Sequence, residues 1–173
     1  MGATTALLLS TGASAAGEIT IGMAPNLQTL PVVVAMSEGY FAEENIDLET
    51  VRFTSGRRAL EALIGGQLDV AFMAEYPVSI ASLREQPFGT FTMLSRYTAN
   101  RMISKASIGF TDPSSLSGKK IGTTKGSNTE FFTEALIEKF GVDAEVINVS
   151  PPDIVPALAR GDIDAGVMFP DFY

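Results

Sequence analysis

The sequence predicts an α/β protein of two similar lobes that face one another across a cleft, and three observations predict it. The first is a repeat. The segment Ala62-Leu63-Ile64-Gly65-Gly66-Gln67-Leu68-Asp69-Val70-Ala71-Phe72-Met73 returns as Ala157-Leu158-Ala159-Arg160-Gly161-Asp162-Ile163-Asp164-Ala165-Gly166-Val167-Met168. Each copy closes an apolar-periodic helix, supplies a glycine for a left-handed stop, makes an acidic turn and enters a short buried strand. The second is the pair of strand openings Ile21-Gly22 and Ile121-Gly122 ahead of the copies. It makes the duplicated unit a whole α/β lobe rather than a short solenoid repeat. The third is composition: 173 residues at 46% hydrophobic content can bury one good core or two modest ones. Ligand sites in such folds lie beyond the carboxyl ends of parallel strands, so two facing lobes place a cleft there.

In chain order, residues 18–23 read as a strand and 24–29 as a loop. Pro31 suits the first position of a helix, where its missing N–H costs nothing, and Gly39 can end that helix. Residues 40–44 form a further turn, and 46–53 a second strand on the strength of length and β-branched content. A helix over 57–64 carries Leu60, Leu63 and Ile64 on one face, and 70–73 form the third strand. A helix over 78–85 follows, then strand-like stretches at 90–97 and 101–105 that carry the crossover between lobes.

The second lobe opens with a turn over 111–116 and a strand over 120–123. A helix over 128–140, a strand over 145–149, a helix over 153–160 and a strand over 165–169 complete it. Nothing after them returns to the first lobe, so the reading is of a C-terminally truncated second lobe. The expected boundaries are 1–17 for a partial signal peptide, 18–100 for lobe 1, and 101–173 for the hinge return and partial lobe 2. The leader carries no charge, contains Ala6-Leu7-Leu8-Leu9 and closes with Ala13-Ser14-Ala15, a small-x-small pattern suited to signal peptidase; the basic start of a complete signal is missing.

Net charge is −8, a sign that repels phosphate backbones and anionic lipid surfaces and argues against nucleic acid as a partner. With no cysteine and no histidine, the span offers no disulfide, no Cys/His metal site, no thiol nucleophile and no imidazole base. Catalysis would have to use carboxylates, lysine or tyrosine.

Several segments in order carry a resemblance: Ile21-Gly22; Ala35 with Glu38-Gly39-Tyr40-Phe41; Ala62-Leu63 with Gly66-Gln67-Leu68-Asp69-Val70; Leu116 with Gly118-Lys119-Lys120-Ile121; Lys125-Gly126-Ser127; and Gly161-Asp162-Ile163-Asp164-Ala165. Together the chain resembles the substrate-binding proteins of ABC importers for aliphatic sulfonates, taurine, nitrate and thiamine-pyrimidine precursors. The resemblance implies a type II periplasmic binding protein fold and a monomer that does no chemistry and needs no cofactor or metal. It implies capture of a small anionic or zwitterionic solute for an ABC permease in the inner membrane. The location implied is the periplasm, or a lipid anchor in a Gram-positive equivalent. A pyrimidine or thiamine precursor is the alternative solute, and an enzyme on the same fold the alternative class. Of the enzymes, pyrimidine-precursor synthases use histidine and iron, and porphobilinogen deaminases a cysteine-tethered cofactor. Met73-Ala74-Glu75-Tyr76-Pro77 departs from the family, where small residues and aspartate are more usual.

Ser127-Asn128-Thr129-Glu130 reads as a capping box, with the serine oxygen on a helix N–H and the glutamate reaching back to the serine N–H. The cap, worth about 1 kcal/mol, is a sufficient structural role. Gly126 and the hydroxyls of Ser127 and Thr129 beside the first-turn N–H groups also suit an anionic oxygen, which Lys125 favours and Glu130 opposes. Ser55-Gly56 is taken as the counterpart in lobe 1. Arg57 and Arg58 after it face the unfavourable end of the helix dipole; a nearby anion would offset this, and solvation with an Arg57–Glu61 pair is the other account. Glu75 and Tyr76 follow the third strand, where a carboxylate could meet an ammonium and a ring could stack on a flat solute. Asn26 and Gln28 offer neutral amide contacts after the first strand. Asp69 and Asp164 read as turn-formers.

Overall fold

The computed structural model describes residues 17–96 and 100–172. Apart from Gly17, the expected leader lies outside the described residues. Among the described residues, seven strands form two sheets. In the first, β1 (Gly17–Met23) runs between β2 (Ile46–Arg52) and β3 (Val70–Ala71), all parallel. In the second, the order is β4 (Arg101–Ser104), β7 (Ala165–Met168), β5 (Lys120–Thr123), β6 (Glu145–Asn148), with β4 alone antiparallel.

The repeat is visible at atomic detail. Ile21 pairs with Val70 and Gly22 with Ala71, just as Ile121 pairs with Ala165 and Gly122 with Gly166. In both lobes the strand glycine leaves room for the aliphatic side chain that precedes the repeated aspartate. A Cβ on Gly22 would collide with Leu68, and one on Gly122 would lie 2.5 Å from Ile163 Cδ1. The aspartates do the same work twice. Asp69 accepts from Thr20 N at 2.8 Å and Thr20 Oγ1 at 2.7 Å, and Asp164 accepts from Lys120 N at 2.9 Å. Gly66 and Gly161 both stop their helices at positive φ, as the sequence predicts.

Helices flank each sheet. In the first lobe these are α1 (Leu30–Ser37), α2 (Tyr40–Glu43), α3 (Gly56–Ile64) and α4 (Glu75–Leu83). Lobe 2 has α5 (Asn128–Phe140), with the predicted ends, and α6 (Ile154–Arg160). Successive residues of β7 point to opposite faces. Ala165 and Val167 pack with Leu116, Ile121 and Val142 on the α5 side, while Met168 joins Ile154, Ala157, Leu158 and Ile163 on the α6 side. Lobe 1 has a smaller centre of Ile21, Met23 and Val32.

Three expectations need correction. Residues 90–96 form no strand: 89–94 are exposed and have no neighbouring strand edge to complete a ladder. The crossover is an irregular stretch that touches lobe 1 where Ser95 Oγ donates to the Gln28 carbonyl at 3.3 Å. The third strand stops at Ala71, and α4 starts three residues earlier than the expected 78, so Glu75 and Tyr76 open a helix and Pro77 lies within its first turn. Finally, topology separates Ser55 from Ser127. Ser127 caps the helix that follows the first strand of its lobe, a place held in lobe 1 by Asn26; Ser55 follows the second strand, as Ser150 does in lobe 2.

Candidate functional site

A cleft of about 1870 Å³ takes in the carboxyl ends of the strands and continues along the face of the first sheet as far as Ile19 and Ile46. Residues from both lobes and from the crossover line it, among them Asn26, Gln28, Ser55, Gly56, Glu75, Asn100, Ser127 and Asn128. Its charged lining is Arg52, Arg57, Arg96 and Arg101 against Asp69 and Glu75. Asp69 is already held by Thr20, whose backbone N–H and hydroxyl keep its carboxyl below the ordinary aspartate range. Arg57 is itself paired with Glu61, so Arg52, Arg96 and Arg101 stand against Asp69 and Glu75 in a chain of net charge −8.

On the lobe 1 wall, Asn26 is occupied locally. Its side-chain oxygen accepts from Gln28 N and Thr29 N, both at 3.1 Å, and the Thr29 hydroxyl returns a bond to Asn26 N at 3.2 Å. That reciprocal cap orders the short turn Leu27–Thr29 and spends the amide oxygen that the sequence offered to a solute. Gln28 is different. It is 6% exposed, and its carboxamide makes no hydrogen bond among the described residues; only its backbone is engaged. Ser55, 5% exposed, precedes α3 in extended conformation without using its hydroxyl as a cap. Gly56 is required by close approach: a Cβ there would lie 2.7 Å from the Met73 Cα, so the glycine lets α3 start against the exit of β3.

Arg57 ion-pairs with Glu61 one turn on, and Arg58 reaches the same carboxylate at 3.4 Å, which favours the helix-pair account of these arginines. The Arg57 side chain also crosses to lobe 2 and lies against Gly126, where any Cβ would collide with it. Gly126 has φ +74°, so the residue is set by backbone geometry as well as by this contact.

On the lobe 2 wall the hydroxyls are spent internally. Ser127 Oγ donates to the Thr124 carbonyl at 2.6 Å, accepts from Thr129 N at 3.3 Å and lies 2.8 Å from Thr129 Oγ1. Thr129 Oγ1 accepts from Thr124 N at 3.3 Å and is fully buried. The expected capping box is shifted by one residue: Glu130 Oε2 accepts from Gly126 N at 2.7 Å, not from Ser127 N. The left-handed turn at Gly126 aims that N–H at the helix, so the carboxylate braces the turn. Asn128 is buried in the first turn of α5.

Tyr76 is not among the cleft-lining residues; its ring packs on Phe131 of α5 with centroids 5.5 Å apart, joining the lobes. Burial, then the Glu130 and Glu134 carboxylates, raise its pKa above the ordinary tyrosine range, so it stays protonated. Glu75 remains exposed at the rim.

The residue that sequence reasoning missed is Asn100. Both its side-chain nitrogen and oxygen are buried without a hydrogen-bond partner among the described residues, while Arg101 Nη1 donates to its backbone carbonyl at 3.2 Å. A lone asparagine before a strand reads as an ordinary turn residue, so no local pattern marks it.

Comparison with known proteins fits this geometry. A taurine-binding periplasmic protein of Escherichia coli is 26% identical over 156 residues, covering 87% of this chain and 48% of that protein. A 4-amino-5-hydroxymethyl-2-methylpyrimidine phosphate synthase of Schizosaccharomyces pombe is 26% identical over 141 residues, covering 80% and 40%. The solved alkanesulfonate-binding protein SsuA of Xanthomonas axonopodis, bound to MOPS, superposes with a TM-score of 0.73 at 19% identity, over 91% of this chain and 56% of that one. The fold is therefore the periplasmic binding protein fold that the sequence predicts, and the chain spans about half the length of the curated relatives it matches. The sequence pattern described as NMT1/THI5 like matches residues 26–172, and the chain belongs to that family.

Proposed function

We propose that this chain is the solute-capturing part of an ABC import system, holding a small anionic or zwitterionic solute of the sulfonate, taurine or nitrate class between lobes spanning 18–100 and 101–173. One observation carries the reading: Arg52, Arg57, Arg96 and Arg101 line one cleft of an otherwise acidic chain together with the Gln28 and Ser55 side chains, which make no hydrogen bond among the described residues. Neutral donors and nearby guanidinium groups recognise an oxyanion without burying a full counter-charge. The similarity to a taurine-binding periplasmic protein supports the same solute class, a periplasmic location and an inner-membrane permease as partner.

Gln28, Ser55, Gly56 and Glu75 of lobe 1, with Ser127 and Asn128 at the facing helix start, frame the solute; in this reading Asn26, Tyr76, Gly126 and Thr129 support the walls. The role in this reading is binding rather than catalysis, which the similarity to a taurine-binding periplasmic protein supports. A second reading, a pyrimidine-type solute, is favoured by the similarity to the fission-yeast synthase and by Phe132, Phe169 and Phe172 in the cleft lining.

Thermal unfolding of the purified protein with taurine, alkanesulfonates, nitrate and aminopyrimidines tests both. A ligand at a hundred times its Kd adds ~2.7 kcal/mol to stability. Stabilisation by a sulfonate or nitrate supports the first reading, stabilisation by pyrimidines alone supports the second, and no shift with any of them rejects both.

A further inference from the structure

The two walls of the cleft differ in what they leave available. On lobe 2, the Ser127 and Thr129 hydroxyls are consumed by Thr124 and by one another. On lobe 1 and the crossover, the Gln28 carboxamide, the Ser55 hydroxyl and the Asn100 carboxamide carry no side-chain hydrogen bond among the described residues. All three line the same cleft, and they enter it from the ends of neighbouring elements. Gln28 and Ser55 lie beyond the paired strand ends Met23 and Arg52, and Ser95 ties the crossover that leads to Asn100 onto the Gln28 carbonyl.

Buried amides without partners are rare in folded proteins because each unmet donor or acceptor has lost its water and gained nothing. A carboxamide carries both kinds of group: its nitrogen only donates and its oxygen only accepts. Satisfying the nitrogen alone leaves the oxygen orphaned, and an anion placed against that oxygen adds repulsion. A hydroxyl can serve either role and adds no discrimination of its own.

We propose that Gln28, Ser55 and Asn100 form the solute-reading surface, and that its two carboxamides select solutes bearing a hydrogen-bond donor beside an acceptor over anions that only accept. Lobe 2 then serves chiefly as the closing wall. The inference rests on the solute-receptor reading and narrows it. The donor can be an ammonium on an aminosulfonate or an amino group on a heteroaromatic ring, two sources of the same chemistry.

Isothermal titration calorimetry on the purified protein separates them with matched pairs in which a methyl replaces the donor. The pairs are taurine against propane-1-sulfonate, and 4-amino-2-methylpyrimidine against 2,4-dimethylpyrimidine. The amino member of the pair that binds is expected to be tighter by about tenfold or more, the consequence of one buried acceptor left unmet by its methyl analogue. Asn100→Leu and Gln28→Leu should each shrink that ratio to about threefold or less. Should either variant fail to fold, the wild-type pairs still decide. Equal affinities within the binding pair overturn the inference while leaving the receptor reading intact, and silence from all four solutes overturns the inference too, the receptor reading then being decided by nitrate and the other alkanesulfonates.

Discussion

The two lobes share a plan down to strand register, yet they use it differently. Lobe 2 buries Ile121, Ile154 and Ile163 almost completely on two sides of its sheet, and its cleft-facing helix start is closed by a ring of short hydrogen bonds. Lobe 1 has a smaller centre, in which Ile21, Met23 and Val32 each keep 6 to 7% exposure, and its Gln28 and Ser55 side chains make no hydrogen bond among the described residues. A repeated sequence pattern thus fixes the backbone of both halves, and a few side chains decide which half is invested in rigidity and which in recognition.

Equivalent substitutions in the two halves can break or sharpen this contrast. The largest gap is expected at the matched positions Ile163 and Leu68, which are 1% and 7% exposed. Ile163→Ala should cost about 4 kcal/mol and Leu68→Ala about 2 to 3 kcal/mol in urea unfolding, because the tighter site relaxes less around its cavity. Equal costs would remove the claim that lobe 2 is the better packed half. Gly56→Ala, which presses a methyl on the Met73 backbone, should cost about 1 to 3 kcal/mol. The same substitution at Gly17, where an added Cβ meets nothing within 4 Å, should change the urea midpoint far less.

Ser127→Ala should lose about 1 kcal/mol, the worth of a helix cap, visible as a lower urea midpoint with unchanged slope. Ser55→Ala, which removes no cap bond, should stay within about 0.5 kcal/mol of the parent.

The smallest effect is a pH dependence. Asp69 is held below its ordinary pKa in the folded chain, so its contribution is present above the unfolded value of about 3.9 and is lost as pH falls through the lower folded value. Midpoints measured from pH 5 downward should therefore fall less steeply for Asp69→Asn than for the parent. Identical slopes would show that the Thr20 bonds do not govern this carboxylate.

Much of this architecture was legible in the residues. The repeat predicted both helix-to-strand turns, and Gly66 and Gly161 stop their helices as required. The helix expected over 128–140, with Ser127 at its cap, has those ends. The misses have physical causes. Thr90 to Tyr97 has strand-like composition, but a strand needs a partner edge, and sequence does not show that residues 90–96 lack one. Pro77 drew the start of α4 too late, although proline is accommodated in a first turn. Within the site, the identities of Gln28 and Ser55 were readable, but their lack of partners was not, because that depends on which neighbours fail to reach them. Asn26 and Glu130 show the reverse: each looked available or conventionally paired and was captured by a nearby backbone N–H.

The tilted contact of Tyr76 with Phe131 has a practical consequence for anyone watching the cleft open and shut. The chain contains no tryptophan and four tyrosines, so its ultraviolet emission comes from phenol rings without a dominant indole signal. Tyr76 rests on the opposite lobe, and a change in the spacing of the halves alters its surroundings directly. Intrinsic fluorescence therefore offers an optical gauge of lobe movement without attaching a dye.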